Sequence, residues 1–404
     1  MMIDRLIRNR LPRIAVWCAC LAGMVAFATP SWSAHAATGK SASADPWLVY
    51  IGTYTRRGSK GIYVYRMDPN AGTLTPVATA SGVTNPSFVA VNPSHRNLYA
   101  VSEAARFKGK PSGAVAAFSI DPDSGKLARI NAQSSGGAGP CFVAVDHAGK
   151  HLLVANYGSG SVAVLPIRAD GGLGEATAFI QHHGASVHAR QKGPHAHAIY
   201  ADAHDQFVIV PDLGMDKLMI YQYDAKAGTL KPNPAMPFAR LTPPSGPRHF
   251  AFHPSGEFGY VINEIASTIT AFRYAADRGT LATLQTVSTL PADFQGKSTT
   301  AEIVVSADGR FVYGSNRGDD SIVVFAVNAK TGKLTFVSRH ETQGHTPRNF
   351  AIDPSGRFLL AANQDTDNIV VFRVDRSTGM LTPTGHQIQV PAPVCVLVVP
   401  ARED

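Results

Sequence analysis

The sequence predicts an all-β fold, a seven-bladed β-propeller with four antiparallel strands per blade and one blade closed by both termini. Three observations carry this. A turn followed by a short apolar strand recurs from Pro86, Pro140, Pro194, Pro247, Thr300, Pro347 and Pro393, at spacings of 54, 54, 53, 53, 47 and 46 residues. A Gly-x-Leu turn closes an alternating strand later in each unit, at Gly72, Gly125, Gly171, Gly228, Gly279, Gly332 and Gly379. The third is the split unit: the chain enters on the second to fourth strands and ends on a lone first strand. A period near 50 residues marks a repeat array.

The order of elements begins with a segment outside the fold. Arg5, Arg8, Arg10 and Arg13 precede an apolar run from Ile14 to Ala28 and then Ala34-His35-Ala36, the three-part pattern of a secretory signal over residues 1–36. The run is shorter than the roughly 20 residues a membrane-spanning helix needs, so no span is expected in the mature chain, which is placed in the periplasm or outside the cell. Residues 37–45 read as a disordered lead-in, 46–400 as the propeller and 401–404 as a tail. The first blade opens with Trp47–Thr53, Gly61–Asp68 and Leu74–Ala80 and is completed by Val394–Val399. A full unit reads as Phe250–His253, Phe258–Asn263, Ser267–Tyr274 and Leu281–Leu290. One such unit cannot bury both of its faces, and radial stacking solves that.

The composition is that of an ordinary globular chain, 45% hydrophobic and 16% charged. The formal charge of +8 falls to +5 when four arginines and one aspartate leave with residues 1–36. There is no basic stripe interleaved with aromatics, so nucleic acid is not an expected partner. Cys141 and Cys395 fall on innermost strands with one blade between them, beyond the roughly 7 Å reach of a disulfide, and are expected as free, buried thiols.

Candidate chemistry lies on the ring. The start of each first strand and the end of the second share one face of a propeller. The residues after the proline are Ser87, Cys141, His195, Arg248, Ala301, Arg348 and Val394. Those after the second strand are Glu103, Tyr157, Asp212 (one residue displaced), Glu264, Arg317 and Gln364, with Tyr54 a poor fit in the split blade. Repeats built only for packing would carry small or apolar groups here. One arc instead carries His195, Arg248, Glu264 and Arg317, and the next blade adds Arg348 and Gln364. The alternative is a water-filled rim in which Glu264 pairs with Arg248 or Arg317 only to neutralise charge. A surplus of arginine after pairing favours a ligand site.

His195 and His197, two apart on a strand, point the same way, but nothing else is placed to complete a metal site, so no metal is expected. His182, His183 and His188 read as solvated connector residues. Asn156-Tyr157-Gly158-Ser159-Gly160 leads into a strand and so reads as a hairpin rather than a phosphate cradle. Neither a nucleophile elbow nor a Walker-type loop is present.

Tyr50-Ile-Gly-Thr-Tyr-Thr, Ala155-Asn-Tyr-Gly-Ser-Gly-Ser-Val, Pro211-Asp-Leu-Gly, Gly246-Pro-Arg-His-Phe-Ala-Phe-His-Pro and Val261-Ile-Asn-Glu together resemble the lactonase family of seven-bladed propellers. That family includes bacterial 6-phosphogluconolactonases and fungal carboxymuconate cyclases, and the likeness runs from about Trp47 to Val399. The resemblance implies a site of His195, Arg248, Glu264 and Arg317, with no cofactor. The expectation is hydrolysis of a sugar-derived or anionic lactone, with Arg248 and Arg317 on the oxyanion or an acidic group, and Glu264 or His195 moving the proton. Glu103, Tyr157, His197, Arg348 and Gln364 are expected to contact substrate, in a monomer. Two other readings use the same residues: an exported propeller that binds carbohydrate or protein without catalysis, and a muconate-type cyclase. Export separates this chain from the cytosolic sugar phosphate on which the family's best-known reaction acts.

Overall fold

Each Gly-x-Leu turn is a joint between blades. Gly125, Gly171, Gly332 and Gly379 all have positive φ, between 70° and 80°, a conformation glycine adopts without strain. Their carbonyls accept the hydroxyls of Tyr50, Tyr99, Tyr260 and Tyr313 from the preceding blade at 3.0–3.1 Å. A Cβ on Gly332 would meet the Phe258 ring at 2.3 Å, and one on Gly379 the Phe311 ring at 2.6 Å. The motif is therefore read by its neighbour as well as by its own turn.

The computed structural model describes residues 46–401; the expected signal and lead-in, residues 1–45, and residues 402–404 lie outside the described residues. Blade 1 joins Pro393–Pro400 to Trp47–Thr53, Ile62–Met67 and Leu74–Ala80. Blade 2 is Val89–Val91, Asn97–Ser102, Ala114–Ile120 and Leu127–Ser134, and blade 3 is Pro140–Val145, His151–Asn156, Ser161–Pro166 and Ala178–Gln181. Blade 4 is Tyr200–Ala201, Phe207–Asp212 and Lys217–Asp224, edged by two short strands, Thr229–Pro232 and Phe238–Arg240. Blade 5 is Pro247–Phe252, Phe258–Asn263, Thr268–Ala275 and Thr280–Ser288. Blade 6 is Thr299–Val305, Phe311–Arg317, Ser321–Val327 and Leu334–Glu341, and blade 7 is Pro347–Ile352, Phe358–Asn363, Asn368–Val374 and Leu381–Gln389. Every pairing is antiparallel, as the seven-bladed reading requires. Seven apolar clusters lie between adjacent blades, and the one joining blade 7 to blade 1 closes the ring through Phe358, Leu360, Val49 and Ile51. Cys141 and Cys395 are free and buried.

The first strand starts earlier than expected, at Pro247 rather than Phe250, because Pro247 already pairs with Asn263. A bulge follows between Pro247 and His249, and blades 3 and 7 bulge likewise after Pro140 and Pro347. Two residues oppose one at such a bulge, which re-aims a side chain. Here the re-aimed residues are Cys141, Arg248 and Arg348, three of the ring positions.

Blade 4 departs from the sequence alignment. The expected strand after Pro194 is replaced by a single bridge, Ala196 to Asp212, and then Tyr200 pairs with Ile209. These match Pro247 to Asn263 and Ala251 to Tyr260 in blade 5. Ala196 thus stands where other blades have proline, and His197, not His195, shares the ring position of Arg248. The backbone agrees: Leu213 N–H donates to His195 O at 3.0 Å as Glu264 N–H does to Gly246 O at 2.7 Å. Asp212 is therefore not a displaced ring residue but takes the place of Asn263. The same bond, Tyr54 N–H to Ala392 O at 3.1 Å, puts Tyr54 fully in register in blade 1, contrary to the expected poor fit.

Candidate active site

Three guanidiniums converge on one carboxylate. Glu264 follows the second strand of blade 5, and its side chain is 6% exposed. Arg248 Nε donates to its Oε2 at 3.1 Å, Arg317 Nη2 approaches the same oxygen at 3.0 Å, and Arg190 Nη2 donates to Oε1. Burial would raise the Glu264 pKa, but Arg317, Arg248 and Arg190 override it and hold it at about 2. Glu264 is thus an anion at any assay pH, and too weakly basic to take a proton from water. Burial pulls Arg317 down to about 10 against the pull of Glu264, so it stays cationic at neutral pH.

Arg248 is held from below as well. Its Nη1 donates to Ala301 O at 2.7 Å and lies 3.2 Å from His249 Nε2. His249 Nδ1 is 2.9 Å from Glu302 Oε1, and Asn349 Nδ2 donates to Glu302 Oε2. A carboxylate on Nδ1 leaves Nε2 as the acceptor, so this file of groups fixes the Arg248 fork.

His195 stands beside this cluster in blade 4. Its ring stacks on Tyr157, with centroids 4.5 Å apart and planes at 18°. Its Nδ1 lies 2.9 Å from the Tyr157 carbonyl oxygen. A carbonyl only accepts, so the proton sits on Nδ1 and the Nε2 lone pair is left for a reactant. The Tyr157 hydroxyl accepts from Arg190 at 3.4 Å, which links His195 through Tyr157 and Arg190 to Glu264, Arg248 and Arg317.

The His195 backbone is set by Asp212. Where blades 3, 5, 6 and 7 have Asn156, Asn263, Asn316 and Asn363, Asp212 Oδ1 accepts the N–H groups of His195 and Gly214 at 2.8 and 3.0 Å. Its Oδ2 accepts from His182 Nδ1 at 2.6 Å, and Tyr221 hydroxyl meets His182 Nε2 at 2.9 Å. His182, expected in solvent, is buried because Asp212 needs a second donor. His183 is exposed as expected, and His188 is half-buried.

The remaining expected residues separate. Tyr157 and Arg348 are half-buried at ring positions. Glu103 is too, accepting from the hydroxyls of Ser87 and, at 3.3 Å, Tyr54. His197 is buried in the floor, 5.2 Å centroid to centroid from His249 and with Nδ1 3.8 Å from Cys141 Sγ. Burial and the cations Arg248 and Arg348 keep it neutral, its pKa well below the usual imidazole value. Phe88 and Phe142, 4.3 Å apart, close that floor. Gln364 turns its amide to Asp365 at 3.1 Å. Among the described residues, no three His, Cys, Asp or Glu side chains are placed to share a metal ion. Sequence reasoning missed Arg190, which has no counterpart in the repeat; the length of the connector before His195 was the available signal. It also missed His249, Glu302 and Asn349, which follow ring positions by one residue.

A family profile described as "Lactonase, 7-bladed beta-propeller" matches residues 48–398. The chain belongs to the lactonase family of seven-bladed β-propellers. Family membership carries the enzyme class with it, a lactonase. Over 350 residues, 87% of this chain and 97% of the relative, it is 41% identical to 6-phosphogluconolactonase of Bacillus subtilis. It is 34% identical over 310 residues to 6-phosphogluconolactonase of Formosa agariphila, covering 76% of this chain and 86% of that one. The solved structure of Pseudomonas aeruginosa periplasmic gluconolactonase superposes with a TM-score of 0.84 at 37% identity, over 88% of this chain and 100% of that one. Among the described residues, no helix is long and apolar enough to cross a membrane.

Proposed function

We propose that this lactonase is exported and hydrolyses a sugar-derived lactone, with His195 as the proton-transfer group and the Arg248, Arg317 and Arg190 guanidiniums as the electrostatic centre. The observation that carries this is the pairing of a free His195 Nε2 with an arginine cluster built around a single carboxylate. Water gives a proton to His195 Nε2 as its oxygen bonds to the ring carbonyl carbon. The tetrahedral oxyanion is met by guanidinium N–H groups already fixed by Glu264, so little reorganisation is needed. The ring C–O bond then breaks, and the imidazolium returns the proton to the departing ring oxygen. The product is an open-chain hydroxy acid.

Glu264 is assigned to holding the guanidiniums rather than to proton transfer. The apolar run before Ala36 and the likeness to a periplasmic gluconolactonase support export. The test is a pH-stat assay of the purified chain on glucono-δ-lactone and 6-phosphogluconolactone. Proton release above the uncatalysed rate on either is expected, and none on both would overturn the reading.

A further inference from the structure

Arg348 is a half-buried guanidinium at the mouth. Among the described residues its side chain makes no hydrogen bond and no ion pair, and its guanidinium carbon lies over the face of Tyr54, 5.3 Å from the ring centroid. Arg56, at the rim, lies 5.1 Å over the same ring and is likewise unpaired. Their neighbour Arg57 is paired, its Nη1 donating to Gln364 O and Asp365 O, both at 3.1 Å, and to Asp367 Oδ1 at 3.3 Å.

A guanidinium has five N–H donors, and taking them from water without partners is costly. The arrangement persists because Tyr54 supplies a cation–π face, and because the bulge after Pro347 fixes where Arg348 points. Burial opposes its charge, but Tyr54, Glu103 and Glu264 more than offset that and hold its pKa above the ordinary value. Arg248, Arg317 and Arg190 share the Glu264 carboxylate, whereas Arg348 has no carboxylate partner among the described residues.

We propose that Arg348, backed by Tyr54 and with Arg56 at the rim, binds an anionic substituent of the lactone, a phosphate or a carboxylate, and so selects charged over neutral sugar lactones. This rests on the lactonase reading above and adds the class of substrate.

The test compares kcat/KM on glucono-δ-lactone, 6-phosphogluconolactone and a lactone of glucaric acid. The unmodified protein is expected to favour one charged lactone over the neutral one, and the better of the two identifies the anionic group. Arg348→Gln should lower that preference about 30-fold, the worth of a charge-assisted hydrogen bond, and Arg348→Lys should restore part of it. Equal losses on all three lactones would place Arg348 on the reacting carbonyl and overturn the proposal. So would a lack of preference in the unmodified protein, which leaves lactone hydrolysis standing. Calorimetric titration with inorganic phosphate is independent of turnover. The same titration is run with glucarate; binding of either anion that is lost in Arg348→Gln supports the subsite even if no lactone is hydrolysed, and binding of both that is absent or unchanged overturns it.

Discussion

His195 lies flat on Tyr157, 4.5 Å between ring centroids, with its Nδ1 2.9 Å from the carbonyl oxygen of the same tyrosine. One residue thus fixes both the plane of the imidazole and its tautomer. Tyr157 follows the second strand of blade 3 and His195 precedes the bridge of blade 4, so the contact also sets one blade against the next. Replacing His195 by Asn keeps a polar group of similar size and removes the Nε2 base. The rate of lactone hydrolysis should fall about 100-fold or more, the usual range for a general base, with the melting temperature little changed. A rate within threefold of the original removes His195 from proton transfer.

Glu264 neutralises Arg248 and Arg317, whose side chains are 3% and 13% exposed. Glu264→Gln leaves those charges uncompensated, and breaking a buried pair costs about 3–5 kcal/mol. Both turnover, at least tenfold, and thermal stability should drop. The pH dependence has a definite sign. The native pKa of about 2 lies below the ordinary 4.5, so between these values the unfolded chain binds the extra proton. The stability from this group is fully present above about pH 4.5 and is lost as pH falls toward 2. The gap in melting temperature between the unmodified protein and Glu264→Gln should narrow over that window. A gap independent of pH would show that the three arginines do not depress Glu264.

Much of this was legible in the chain itself, and what was not has physical causes. Blade number follows from Gly-x-Leu turns that must admit both a positive φ and a neighbouring ring, as Gly332 and Phe258 do. The register of blade 4 was hidden because Pro194 imitates the proline of other blades, while the bridge begins two residues later at Ala196. That slip assigned His195 a ring position that His197 holds. Asp212 was misread for the same cause, and Arg190 was invisible because a connector outside the repeat has no counterpart to be compared with. Arg248, Glu264 and Arg317 were found because charge at a repeat position otherwise filled by Ala301 or Val394 is itself a signal.

The Asp212 carboxylate serves His182 on one oxygen and two backbone N–H groups on the other. Asp212→Asn restores the residue of the other blades yet should be harmful here. Its single carbonyl oxygen cannot satisfy both sets, and its amide N–H would face a His182 Nδ1 that must itself donate. The loss should be about 1–3 kcal/mol. Because His195 N–H is one of the released groups, turnover should fall about tenfold as well. His182→Phe, which removes the competing donor, should regain turnover in the Asp212→Asn background. Failure of the second substitution to help would break the link between His182 and His195.

Arg190 differs from its two companions on Glu264 in being 42% exposed. Removing it leaves Glu264 with Arg248 and Arg317, so the buried charges stay balanced and the fold has little to lose; an exposed ion pair is worth about 1 kcal/mol or less. Its reach from the connector to both Glu264 and Tyr157 hydroxyl closes the site on the side of His195. Arg190→Gln should therefore lower kcat/KM on a lactone about tenfold while the melting temperature shifts by only about 1–2 °C. Raising the salt concentration should weaken the unmodified protein toward the variant, since a half-exposed cation is screened. A variant with unchanged kcat/KM would reduce Arg190 to a rim contact, and one that melts far earlier would make it part of the fold.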